Sequence, residues 1–148
     1  MNHLFEREKM KTVELAPEFL ELVSRARMDT DEDWGFIDSR IGNYLTDPYV
    51  SWAVSRGMDD LDDGVTDLSC TILAKSDIPL TDEQISFLEG RLEEEEYLPA
   101  TYWLACALYK RGRKSCLIVD KWQEACKDDS SAGEFARSLI RSKRPKVV

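Results

Sequence analysis

Two similar stretches carry the strongest structural signal in this chain: VTDLSCTIL at residues 65–73 and ATYWLACAL at residues 100–108. Within them, Cys70 and Leu73 lie 35 positions before Ala105 and Leu108. The helix after each stretch repeats at an interval of 34 positions, with Ile85, Leu88 and Leu92 matched by Val119, Trp122 and Cys126. Repeated pairs of amphipathic helices are typical of stacked α-hairpin arrays, which present binding surface. We therefore expect two equivalent helical hairpins.

A third stretch, SAGEFARSL at residues 131–139, fits the same register. Each stretch places a small residue three positions before a leucine, as in Ala136 and Leu139. This pattern resembles the HEAT-like repeat, whose helix reads VRxxAAxxL, over residues 62–142. The resemblance implies stacked antiparallel hairpins in an α-α superhelix that acts as a protein-binding scaffold. The family's arginine is replaced by Thr66, Thr101 and Ala132, and an irregular helical bundle stays open as the alternative.

The apolar spacing elsewhere also indicates helices, and we expect an all-α protein of about eight helices in a single domain, residues 1–148. Proline at position 17 favours a helix start, and Thr81 with Gln84 matches the pattern of a capping box. From Tyr102 to Tyr109 the sequence is apolar on all helical faces. Neighbouring helices must cover such a segment, so we expect it to be the central buried helix. Residues 1–14 and 142–148 are expected to be loose.

The net charge of −9 is distributed unevenly along the chain. Residues 1–109 hold 24 acidic and 9 basic side chains, whereas residues 110–148 hold 5 acidic and 11 basic ones. The acidic part disfavours nucleic acid and anionic membranes and attracts a basic protein partner. No apolar run approaches the roughly 20 residues of a membrane span, and no export signal is visible. We therefore expect a cytoplasmic protein that binds neither nucleic acid nor membrane.

Two acidic strings are the best candidates for a partner-binding surface: Asp59, Asp60, Asp62 and Asp63, followed by Glu93, Glu94, Glu95 and Glu96. The first string does not match a calcium-binding loop, because Leu61 and Cys70 would occupy positions that need oxygen ligands. Trp52 belongs to a segment that is apolar on several sides, and we expect it to line a groove. These nine residues form the predicted partner-binding site.

Catalytic chemistry is not predicted. His3 is the single histidine and lies in a segment expected to be loose, so an imidazole-based triad is not expected. The cysteines at positions 70, 106, 116 and 126 lack the spacing of a zinc site. A carboxylate-bridged metal enzyme would need Glu-x-x-His pairs, which the sequence lacks. Paired catalytic carboxylates are not predicted either, because no acidic residue lies in an obviously apolar setting. We expect no metal and no cofactor.

These observations predict a non-enzymatic protein–protein interaction module. One alternative is an immunity or inhibitor protein that masks a basic toxin or nuclease. Another is a structural subunit of a larger assembly, because two or three repeats are near the minimum for a stable stack. The sequence leaves the identity of the partner and the oligomeric state open.

Overall fold

A computed structural model describes residues 15–142 of the chain, with side chains described for residues 15–140. The termini predicted to be loose, residues 1–14 and 142–148, lie outside this range apart from the backbone of Ser142. The same is true of His3 and of the basic side chains after position 140.

Residues 15–142 contain eight helices and no strand, which confirms the all-α prediction. A 3₁₀ turn (Ile41–Tyr44) follows the second helix, and a π-helical turn (Ala53–Gly57) extends the third. The helices are α1 (Pro17–Met28), α2 (Asp31–Arg40), α3 (Asp47–Trp52), α4 (Asp63–Lys75), α5 (Asp82–Glu94), α6 (Leu98–Lys110), α7 (Cys116–Cys126) and α8 (Ser131–Ser142).

Side-chain caps explain where several helices begin. The side chains of Thr30, Asp62 and Ser115 each accept a hydrogen bond from a backbone N–H in the first turn of the following helix. At α5 the predicted capping box is confirmed: Thr81 Oγ1 accepts from the N–H of Gln84 at 3.1 Å, and Gln84 Oε1 accepts from the N–H of Thr81 at 2.9 Å. Each cap satisfies a backbone N–H that has no partner within the helix.

One of the two expected hairpins is present: α6 packs on α7 as expected, whereas α4 does not pair with α5. Helix α4 packs most closely on α6 and has little direct contact with α5. The physical reason is that α4 and α6 are the two most deeply buried helices, so their packing on each other removes the most apolar surface from water.

Equivalent hydrogen bonds recur at the predicted interval of 35 positions. Thr66 Oγ1 donates to the carbonyl of Asp62 at 3.2 Å, and Thr101 Oγ1 donates to that of Tyr97 at 3.1 Å. Helix α3 begins after Thr46, 35 positions before the N-cap Thr81 of α5, but the side chain of Thr46 makes no cap bond. The local geometry of α4 therefore repeats in α6. A HEAT-like superhelical stack remains a prediction.

The core is a single apolar cluster to which all eight helices contribute. In α6, every residue from Trp103 to Leu108 is buried, as predicted, whereas Tyr102 and Tyr109 are half-buried. Helix α4 is buried over its whole length from Gly64 to Ala74, which the sequence did not indicate. Its hydroxyl groups bond to carbonyls of their own helix, with Ser69 to Val65 at 2.8 Å and Thr71 to Asp67 at 2.7 Å. Burial of these polar residues therefore leaves no hydroxyl without a partner.

Candidate functional site

The two acidic strings lie next to each other at one end of the helices. The first spans the loop between α3 and α4, and the second spans the end of α5 and the loop before α6. Arg91 joins them, because its guanidinium donates to the carbonyl of Met58 and lies 3.9 Å from the carboxylate of Glu95. The loop between α7 and α8 adds Asp128 and Asp129 at the same end of the hairpins. The fold thus brings together residues separated by more than thirty positions.

Asp60 and Asp62 have structural roles in the first string. Asp60 Oδ2 lies 2.6 Å from a guanidinium nitrogen of Arg27 in α1, and this contact holds the pKa of Asp60 below its usual value. The side chain of Asp62 accepts a hydrogen bond from the N–H of Val65 at 3.1 Å and caps α4. These two carboxylates secure the loop to α1 and α4.

Glu95 has a similar structural role in the second string. Its side chain is only 13% exposed and is paired with Arg91. One carboxylate oxygen also accepts a hydrogen bond from the N–H of Glu96 at 3.1 Å. The carbonyl of Glu95 accepts a bond from Thr101 Oγ1. Glu95 therefore shapes the loop between α5 and α6.

The remaining acidic residues of the two strings face solvent. A partner can bind their carboxylates without breaking the caps and ion pairs described above. This exposed set consists of Asp59, Asp63, Glu93, Glu94 and Glu96.

Three exposed apolar side chains lie among these carboxylates: Leu61 is 100% exposed, Met28 69% and Leu98 53%. The Arg27–Asp60 ion pair places Met28 beside the loop that carries Leu61. Burial and the nearby negative charge of Asp29 raise the pKa of the Tyr97 hydroxyl, and this proximity places Leu98 near the end of α1. Sequence analysis missed this apolar component because it depends on contacts between distant helices. We call the combined surface, formed by residues 28–29, 59–63 and 93–98, the acidic edge.

Trp52 occupies a different environment from the two acidic strings. It is half-buried, and its ring packs edge-on against Phe19 with the ring centroids 4.9 Å apart. Phe19 also contacts Tyr44 and Tyr49, so the four rings form an aromatic cluster that joins α1 to α3. These contacts give Trp52 a packing role, and none of them connects it to the acidic edge.

The sequence-based inference that no acidic residue lies in an apolar setting is wrong, because Asp67 does. Its carboxylate is buried in the middle of α4, and among the described residues its side-chain hydrogen-bond partner is Thr71, at 3.5 Å. Burial, together with the negative charges of Asp29 and Asp38, raises the pKa of Asp67 to about 7. A carboxyl group that holds its proton near neutral pH is suited to general acid catalysis. Here it lies inside the contact between α1 and α4.

The cysteines of the core are poor nucleophiles and do not form a metal site. Burial raises the pKa of Cys106 to about 12 and the pKa of Cys70 well above its ordinary value, and the protonated thiol is the unreactive form. Within residues 15–142, no group of three or more His, Cys, Asp or Glu side chains is arranged to hold a metal ion. The acidic edge therefore stands as the candidate site.

None of the helices in the described part of the chain combines the length and the apolar character needed to cross a bilayer. No protein-family model, no curated protein and no solved structure matches this chain. The functional inference is consequently drawn from the geometry described above.

Proposed function

We propose that this protein is a non-enzymatic interaction module of HEAT-like helical hairpins that binds a cationic protein through the acidic edge. The main support is that the two acidic strings lie at the same end of the helices, where their exposed carboxylates are accompanied by three exposed apolar side chains. The shared hydrogen-bonding pattern of Thr66 and Thr101 supports the repeat assignment.

The two components of the edge would contribute differently to binding. Carboxylates such as Asp59 and Glu94 increase the association rate with a positively charged partner and disfavour anionic ones. Apolar side chains such as Leu61 provide contact area that is removed from water in the complex, which slows dissociation. The expected partner surface therefore carries Lys or Arg side chains around an apolar depression.

A more specific version of the proposal is an inhibitor that masks a basic enzyme such as a nuclease. The cationic surface with which such an enzyme holds phosphates is complementary to the carboxylates of the edge. We place the protein in the cytoplasm, because its cysteines are free thiols and Cys70 and Cys106 are buried. This version predicts that the complex lacks the activity of the bound enzyme.

Affinity capture from the source cells with three forms of the full chain tests the proposal. The first form is the native protein. In the edge variant, five exposed carboxylates become amides: Asp59→Asn, Asp63→Asn, Glu93→Gln, Glu94→Gln and Glu96→Gln. The control variant has the same change in net charge at exposed positions elsewhere: Asp47→Asn, Glu83→Gln, Asp120→Asn, Glu124→Gln and Glu134→Gln.

We expect the native protein and the control variant to retain the same cationic protein and the edge variant to lose it. The association rate of the captured protein should fall by about tenfold or more between low and high salt. If the edge variant captures the same protein with unchanged kinetics, the acidic edge is not the binding surface. If the native protein retains no cationic partner, the proposal itself is wrong.

A further inference from the structure

A groove lies at the end of the molecule opposite to the acidic edge. It has a volume of about 720 Å³ and is bordered by the C-terminal ends of α4 and α6, the turn after α4, and α8. Its apolar lining includes Ile78, Leu80 and Phe135. Its rim carries the cations Lys75, Lys110 and Arg111, opposed by Asp77. The groove therefore combines an apolar floor with excess positive charge.

Two of these cations are held in place by carbonyl groups at the end of α4. Lys110 Nζ donates to the carbonyls of Ala74 at 2.9 Å and Ser76 at 2.7 Å. Arg111 donates to the carbonyls of Leu73 at 2.8 Å and Ile78 at 2.9 Å. Carbonyl groups are neutral acceptors, so these bonds position the cations without compensating their charge. Lys110 is also paired with Asp77, with Nζ 3.0 Å from Oδ1, so the excess positive charge of the groove comes from Lys75 and Arg111.

The acidic edge offers a segment of complementary chemistry. The side chain of Leu61 is completely exposed in the loop between α3 and α4, with the exposed carboxylates of Asp59 and Asp63 nearby in the sequence. An apolar side chain that projects between carboxylates matches an apolar groove with a cationic rim. Because the loop lies at the start of α4 and the groove at its end, the two cannot meet within one chain.

We infer that the groove binds the α3–α4 loop of a second copy of this chain. The contact joins different surfaces of the two copies, so it is heterologous, and further copies can add head to tail. The inference rests on the proposed function, because it uses part of the acidic edge. It identifies a second copy of the chain as one partner of that edge.

The net charge of −9 opposes the approach of two copies. At physiological ionic strength, however, interactions between exposed charges decay over about 8 Å. The overall repulsion is therefore screened at the separation of two protein centres, whereas charges in contact at the loop and groove are screened much less. We expect weak association that depends on concentration.

Two variants of the full chain disable the two surfaces separately. Leu61→Asp removes the projecting apolar side chain, and Lys75→Glu reverses one charge on the rim of the groove. Neither residue donates a side-chain hydrogen bond to a helix end, and circular dichroism will check that both variants remain folded. Two control variants change the same residue types elsewhere: Leu20→Asp on α1 and Lys127→Glu after α7.

Sedimentation velocity over a concentration series is the test. We expect the average mass of the native protein and of both controls to rise with concentration. Leu61→Asp and Lys75→Glu should each weaken association by about tenfold or more, which corresponds to about 1.4 kcal/mol. An equimolar mixture of the two variants should form one-to-one dimers, because the intact groove of one variant binds the intact loop of the other.

A native protein that stays monomeric at every concentration overturns the inference. The inference is also overturned if both variants associate as strongly as the native protein, because the association must then use another surface. A mixture of the two variants that stays monomeric also counts against head-to-tail contact. None of these results affects the capture experiment with a cationic partner, so the two proposals can fail independently.

Discussion

Asp67 shows how the setting of a single residue can affect the stability of the whole molecule. Because the pKa of Asp67 is raised to about 7, the folded state favours the protonated carboxyl group. The contribution of Asp67 to the free energy of unfolding should therefore be largest below the ordinary pKa of an aspartate and should decrease as the pH rises to about 7.

The substitution Asp67→Asn tests this dependence on pH. Between about pH 5 and about pH 8, ionisation of Asp67 should lower the free energy of unfolding of the native protein by about 2 to 3 kcal/mol relative to the variant. Urea denaturation of both proteins at the two pH values measures this change in the free energy of unfolding. Asp63→Asn, an exposed neighbour on the same helix, is the control and should follow the native protein. If the free energies of unfolding of Asp67→Asn and of the native protein change by the same amount between the two pH values, the account of Asp67 is contradicted.

Single residues also show what the sequence could not reveal about the candidate site. The two acidic strings were visible in the sequence, and their residue types indicated a cationic partner. The division of roles within them depends on Arg27 and Arg91. Arg27 is 33 positions from Asp60, and Arg91 is 33 positions from Met58. Sequence spacing contains no information about such contacts, so Asp60 and Glu95 could not be separated from Asp59 and Glu94.

At the level of helices, the close approach of α1 and α4 depends on Gly64. A Cβ atom at this position would lie 1.9 Å from the carbonyl oxygen of Ala26, a distance that neither backbone can accommodate without moving. We expect Gly64→Ala to lower the free energy of unfolding by about 2 kcal/mol or more.

Gly90→Ala is the matched control for this substitution. Gly90 also lies within a helix, but a Cβ atom there meets nothing within 4 Å. Alanine should therefore stabilise α5 by about 0.5 to 1 kcal/mol. Urea denaturation of both variants gives the comparison. Equal effects of the two substitutions would contradict the close packing of α1 on α4.

The end of α4 provides a second prediction at the same level. Arg111 connects α6 to this end through bonds to the carbonyls of Leu73, Ser76 and Ile78. Arg111→Met leaves these acceptors without their partner and should cost about 2 to 4 kcal/mol. Arg113→Met removes only an exposed pair with Glu89 and should cost about 0.5 kcal/mol. Thermal unfolding of the two variants measures the difference, and similar melting temperatures would be inconsistent with the proposed role of Arg111.

Helix positions were largely predictable, whereas helix pairing was predicted only in part, because α6 packs on α7 but α4 does not pack on α5. Local signals such as the capping box at Thr81 and the apolar segment of α6 depend on neighbours in the sequence, and the structure confirms both. The burial of α4 was missed because Thr66, Asp67, Ser69 and Thr71 made it look amphipathic. The expected pairing of α4 with α5 failed because chain order does not determine which helices share the most apolar surface.

The whole molecule has opposite charges at its two ends. Carboxylates gather where α4 and α6 begin, and cations gather where these helices end. At α4 and α6 each sign of charge lies at the end of the helix dipole that it stabilises, whereas Glu93 and Glu94 lie at the unfavourable C-terminal end of α5. The polarity creates the two surfaces to which we assign binding.

The central claim is that the acidic edge binds the partner, and hydrogen–deuterium exchange of the full chain with and without the captured cationic protein tests it most directly. We expect slower exchange in the complex at residues 28–29, 59–63 and 93–98, with little change at the turn after α4 or in α8. Protection confined to the groove lined by Ile78, Leu80 and Phe135, or to α7, would contradict the claim.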